Sequence, residues 1–275
     1  MKFNYIKTVA LAAIATAFIS CSSDDDATGE VIGDTYGDVE FYFDNGAAGN
    51  SLILGVPFTN SMDEALTVNK LNYIVSNFVL IDADGNEVVY PKEESYFITN
   101  QQDEVKTVHL ENVPAGDYKA VRFGIGVDEQ RYLQGETAQQ SFWDLAAAND
   151  LTWTWSTGYR FVVFEGTFTS PENAEPLLFK VHQGSNTETD NYREVTLTLP
   201  TTARVREGET PSIHLITDVN KLLDGETKIS LHDNLNQAGT AAAIMGGENL
   251  IKIADNSTEM FTVDHVHNGA GHHHE

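Results

Sequence analysis

Three features of the 275-residue sequence predict an all-β fold, an antiparallel β-sandwich with a few short helices. Short runs of alternating or continuous apolar residues recur along the chain. Turn-forming residues separate them at fairly regular spacing. Stretches with helical spacing are few.

The elements follow in order. Residues 39–43 (VEFYF) form a first strand that is expected to stop at Asp44-Asn45-Gly46. Residues 68–80 are a long β-rich run, and residues 82–86 (DADGN) turn it into residues 87–90. Asp84-Gly85 supplies the positive φ of a tight hairpin. A calcium loop of the EF-hand type would need glycine sixth and glutamate twelfth, whereas Gly85 is fourth here, so the acidic residues are assigned to the hairpin. Runs at 105–110 and 118–127 flank a second turn, Val113-Pro114-Ala115-Gly116-Asp117. Further strands are expected at 151–168, 177–182, 195–199 and 213–216, and helices at 141–148, 218–223 and 248–254. No Pro/Gly/Ser-rich linker interrupts the middle, so residues 38–268 read as one domain.

The ends define the compartment. Lys2 and Lys7 precede an apolar stretch at 9–19 that is too short to span a bilayer, and then comes Ser20-Cys21. This order predicts a lipoprotein signal peptide at 1–20, with Cys21 lipidated and anchored in the outer membrane, at the cell surface or on its periplasmic face. Cys21 is the sole cysteine, so no disulfide can form within the chain. Residues 21–37 are polar and acidic and read as a tether. Cleavage before Cys21 removes 20 residues including two lysines, leaving 255 residues and moving the formal charge from −25 to −27. Such a chain repels phosphate backbones and attracts cations, which excludes nucleic acid as a partner.

No catalytic constellation stands out. There is no G-x-S-x-G, and Phe123-Gly124-Ile125-Gly126 lacks the third glycine of a dinucleotide loop. With 41 Asp and Glu, no carboxylate pair is distinctive, and the chain reads as a binding protein rather than an enzyme. Histidine is the informative residue type. Five of nine histidines lie between 265 and 274. In a strand His265 and His267 share one face and could reach one ion. His272, His273 and His274 follow a glycine-containing spacer, and residues 269–275 read as a flexible, metal-scavenging tail. His182 ends an apolar run, which by itself suggests a hydrogen-bonded core residue. His232 is a further candidate ligand, while His109 and His214 occupy ordinary strand contexts and read as structural. On a strand Trp153 and Trp155 would point to one side, which by itself suggests packing.

Taken together and in order, several segments resemble the MbnP family. They are Leu71-Asn72-Tyr73-Ile74-Val75-Ser76-Asn77 with its hairpin, Val113-Pro114-Ala115-Gly116-Asp117-Tyr118, Phe123-Gly124-Ile125-Gly126-Val127, Trp153-Thr154-Trp155 with Gly158-Tyr159, Phe179-Lys180-Val181-His182-Gln183-Gly184, and the closing residues 260–267. The family's usual His-Leu-Gly is here His182-Gln183-Gly184. The resemblance implies a methanobactin-associated copper protein, of the lipoprotein type found in Bacteroidetes. It further implies copper held by imidazoles, with a tryptophan oxidised to kynurenine by a di-haem MauG-like partner. Carried onto this chain, the ligands would be His182, His265 and His267, with His232 as a fourth candidate, and the oxidisable indole Trp153 or Trp155. Imidazoles without cysteine suit copper, and zinc is the competing metal. The alternative from another class is a glycan-binding or adhesion lipoprotein that uses exposed tryptophans.

Overall fold

The computed structural model describes residues 35–186 and 188–269. The expected signal peptide, Cys21, all but the last three residues of the tether, and all of the tail except Gly269 lie outside the described residues. Strands are numbered along the chain. A small sheet contains β1 (Tyr36–Ala47), β2 (Asn50–Ser51), β7 (Thr107–Pro114), β12 (Ser212–Asp218) and β14 (Phe261–His267). A large sheet contains β3 (Pro57–Thr59), β4 (Ala65–Asp82), β5 (Glu87–Val89), β6 (Tyr96–Asn100), β8 (Gly116–Ile125), β9 (Arg160–Ser170), β10 (Asn173–Gly184), β11 (Arg193–Val205) and β13 (Ala241–Ile244). The helices are α1 (Glu129–Tyr132), α2 (Gln140–Ala148), α3 (Lys221–Asp224) and α4 (Gly247–Ser257).

The two sheets face each other because their strands alternate. Phe41 and Phe43 of β1, and Ile213 and Leu215 of β12, point inward from the small sheet. Leu71, Tyr73 and Val75 of β4, Val162 and Phe164 of β9, and Phe179 and Val181 of β10 meet them in one cluster. Each such side chain contributes roughly 1.5–3 kcal/mol by leaving water. The opposite parity of the large sheet is also covered. Ile74, Phe161 and Val163 pack under Tyr132, Ala146, Leu151 and Tyr159, which lie in or beside α1, α2 and the loop that follows them. The molecule therefore has three layers: small sheet, large sheet, and a cap of short helices and loop.

Most pairings are antiparallel, as expected, but β1 with β12 and β10 with β13 run parallel. A parallel partner can arrive only through a long crossover, which local turn signals do not reveal. Several local expectations hold. Gly85 takes φ +87°, and the Asp82 carboxylate accepts from the amides of Asp84 and Asn86, closing the β4–β5 hairpin. The Pro114-Gly116 turn is a corner between sheets, since β7 pairs with β1 and β8 with β4.

Two expectations are corrected. β1 does not stop at Asp44 but continues through Gly46, because its far end is paired on both sides, to β12 and β2. Residues 151–159 are not strand. The chain there is an irregular loop closed by a single Thr152–Tyr159 bridge, and β9 begins only at Arg160. Gly158 explains the break: its φ is +132°, and a Cβ there would lie 2.3 Å from the Ser185 carbonyl oxygen.

Candidate metal centre

The four candidate histidines fall in three separate places, with only His265 and His267 together. His182 points from β10 away from the main core, into the cap side of the large sheet. Its Nε2 lies 2.6 Å from Glu165 Oε1, and the residue is only 4% exposed. That hydrogen bond holds the Glu165 carboxyl below its ordinary range, with burial opposing it. Trp153 lies beside this pair, its ring centre 6.3 Å from that of His182. The indole Nε1–H donates to the Ser185 carbonyl at 2.9 Å, and the Arg160 guanidinium sits 5.5 Å above the ring. Trp155 packs against Trp153 at 5.1 Å with the rings tilted by 44°, but is 63% exposed. The two indoles thus occupy different environments because they lie in a loop, whereas a strand would have put them on one face.

His232 is far from this cluster. Its Nδ1 is 3.2 Å from Ser170 Oγ at the end of β9, whereas His182 pairs opposite Val163. Seven residues of strand separate those two positions, roughly 20 Å. His265 and His267 are on the outer face of the small sheet, with the whole sandwich core between them and His182. The ligand set His182, His265, His267 and His232 is therefore not brought together. Strand periodicity gives the face of each residue but not which layer that face belongs to.

What gathers on the small sheet is a different set. His214 pairs opposite Tyr42 on β1 and opposite His265 on β14, so three strands contribute one cross-strand row. The imidazole centres of His214 and His265 are 4.7 Å apart, and those of His265 and His267 are 4.5 Å apart. Tyr42 packs edge-on against His214 at 4.8 Å, and Asp44 Oδ2 lies 3.8 Å from His214 Nε2. Burial, followed by the charges of Asp44 and Glu104, raises the Tyr42 phenol and keeps it protonated.

Asp264 joins through a bulge. His214 is opposite His265 but the next residue, Leu215, is opposite Val263, so two residues of β14 face one gap in β12. A bulge of this kind re-aims a side chain, here turning Asp264 toward the histidine face. Its Oδ2 lies 2.6 Å from His265 Nδ1. The other nitrogen, Nε2, is shielded from solvent and has no hydrogen-bond partner among the described residues. A carboxylate on one ring nitrogen with the other nitrogen bare is the arrangement that orients a metal-binding imidazole. Ligand-capable atoms of His214, Asp264 and His265 all lie within 4.8 Å of one another, and among the described residues this is the group of three or more that could hold an ion.

The order of segments along the fold agrees with a known family. The MbnP family profile matches residues 36–245. The chain belongs to the MbnP family. A solved structure of MbnP from Methylosinus trichosporium is similar at 14% identity, covering 86% of this chain and 100% of that chain with a TM-score of 0.44. No curated protein matches. The MbnP span contains Trp153, Arg160, Glu165, His182 and His214, but ends before β14. The metal-capable group therefore joins one histidine of the MbnP domain to Asp264 and His265 from the segment that follows it, with the His267 ring beside His265.

Proposed function

We propose that this MbnP-family chain is a copper-binding surface or periplasmic lipoprotein that holds a copper ion at His214, His265 and His267. Its work is storage or delivery, and it is a binding protein rather than an enzyme. The observation that carries this reading is the row of three imidazoles with Asp264 on the Nδ1 side of His265. Imidazoles sharing one ion through bonds of about 2.0 Å have ring centres roughly 5 Å apart, close to the spacing present. The donors are nitrogen with nearby carboxylate oxygen and no thiolate, a set that favours copper at the top of the divalent affinity order. Zinc accepts the same ligands and is the competing occupant. The strongly negative formal charge, −25 for the full chain and −27 once the expected signal peptide with its two lysines is removed, adds long-range attraction for either cation.

Titration of purified mature protein with copper(II) against a competing chelator tests this, with zinc(II) in parallel. One tight equivalent of copper, displacing zinc, is expected; zinc binding tighter than copper would overturn the assignment of the metal.

The tryptophan pair forms a separate centre. Trp155 is the ring that a partner di-haem oxidase would meet, since Trp153 is 5% exposed. Conversion of an indole to kynurenine loses one carbon and gains one oxygen, making the peptide that carries it about 4 Da heavier. Mass spectrometry of the peptide spanning 151–160, from protein made beside its native partners, is expected to show that gain on Trp155. A gain confined to Trp153 would contradict the placement. The exposed Trp155 ring is also what favours the rival glycan reading, but the ring it packs on, Trp153, is itself engaged with the Arg160 guanidinium and the Ser185 carbonyl.

Attachment through Cys21 completes the reading. Cys21→Ser is expected to move the protein from the membrane fraction to the soluble fraction, and retention at the membrane would count against a lipid anchor.

A further inference from the structure

The two imidazoles at the centre of the metal-capable cluster take their carboxylates from different strands. His265 has its own beside it on β14: Asp264 Oδ2 accepts from Nδ1–H at 2.6 Å, which leaves Nε2 as the nitrogen with a lone pair. His214 lies on the middle strand, with β1 on one side and β14 on the other. The carboxylate facing it comes from β1. Asp44 pairs opposite Ile216, so it reaches back diagonally along the sheet, and its Oδ2 stops 3.8 Å from His214 Nε2.

That separation is about 1 Å longer than a charge-assisted hydrogen bond. The surroundings decide which partner would close it. The His214 side chain is 14% exposed and flanked by two rings, Tyr42 edge-on at 4.8 Å and His265 at 4.7 Å. The Asp44 side chain is 35% exposed and lines a cavity of about 250 Å³ together with Gly46, Gly49 and Asp218. The imidazole is therefore held while the carboxylate has room to turn. An ion supplies the reason to turn, because a cation on one nitrogen of an imidazole draws density from the ring and makes the opposite N–H a stronger donor.

We propose that Asp44 is the positioning residue of His214: it closes onto Nε2–H when the ion binds, so that His214 coordinates through Nδ1 while His265 coordinates through Nε2. The proposal rests on the metal reading of this cluster and brings β1 into the strands that build it. Asp44 does not touch the ion. A neutral imidazole carries one N–H, and the carboxylate that accepts it fixes both the tautomer and the direction of the remaining lone pair. Each imidazole then has a carboxylate of its own, Asp264 turned by the bulge and Asp44 arriving from across the sheet, and the register of three strands aims both lone pairs at one point.

The test pairs nitrogen-15 NMR of the purified mature protein loaded with zinc(II), which takes the same ligands without broadening the signals, with copper(II) titrations of two variants against a chelator. In long-range proton–nitrogen spectra, His214 Nδ1 and His265 Nε2 are expected to carry the shifts of metal-bound nitrogen, with a slowly exchanging proton on His214 Nε2. Asp44→Asn keeps the shape but weakens the acceptor, and is expected to bind copper(II) about 10- to 100-fold more weakly and to lose that slow exchange. Asp218→Asn removes a charge of the same sign from the same cavity, where the Asp218 carboxylate accepts from the amides of Ala48 and Asn220, and is expected to leave copper affinity unchanged. Circular dichroism confirms that both variants fold. Coordination through His214 Nε2, natural affinity in Asp44→Asn, or an equal loss in both variants would each overturn the role of Asp44 while leaving the cluster standing. Loaded spectra in which the His214 and His265 signals both stay where they were would overturn the cluster and Asp44 together.

Discussion

Replacing His265 with alanine is expected to weaken copper binding by about 100-fold or more, and His214→Ala by a similar factor, while His182→Ala leaves it unchanged. The argument is positional. His265 is the central ring of the row, 4.7 Å from His214 and 4.5 Å from His267, so its removal separates the remaining imidazoles as well as deleting a donor. His182 is across the sandwich and hydrogen-bonded to Glu165. Asp264→Asn gives a graded version of the same test. The amide keeps the shape but cannot hold the Nδ1 proton as a carboxylate does, and loss of such an outer partner typically costs about 10- to 100-fold in metal affinity. Competition titration of each variant, with circular dichroism to confirm folding, reads all four. Equal affinity in His265→Ala and the natural protein would remove the small sheet as the binding face; a large loss in His182→Ala would move the site to the cap.

The contrast between these histidines shows what the sequence can carry. That His265 and His267 share a face follows from the two-residue period of a strand, and β14 bears it out. The helix around 141–148 and the Asp-Gly hairpin are equally local, and both are present. His214 was not distinguishable from an ordinary strand histidine, although alternation with the inward Ile213 and Leu215 already places it outward. Only the register of β12 against β14 sets it beside His265, and register between segments 50 residues apart has no local signal. Asp264 is hidden more deeply. Strict alternation points it away from His265, and a one-residue bulge reverses that. The error at Trp153 and Trp155 has the opposite origin, a β-rich composition whose backbone is diverted by Gly158 and by the Ser185 carbonyl it packs against.

That diversion leads to the largest stability effect expected of a single change at the cap. Trp153→Ala should destabilise the fold by about 3–5 kcal/mol, the range for removing a buried aromatic ring. Three losses coincide. The ring is 5% exposed and fills the space between Trp155, His182 and Arg160, so its removal opens a cavity. The Ser185 carbonyl loses the indole donor that reaches it at 2.9 Å. The Arg160 guanidinium loses the aromatic face beneath it. Trp155→Ala removes a ring of similar size that is mostly in water already, and should cost no more than about 1 kcal/mol. Urea unfolding of the two variants checks the difference, and copper titration of the same samples checks its meaning. A destabilised Trp153→Ala protein that still binds copper with natural affinity under native conditions would show the cap and the small sheet acting as separate centres. If Trp153→Ala and Trp155→Ala unfolded at the same urea concentration, Trp153 would not be the anchor that holds the loop to the sheet.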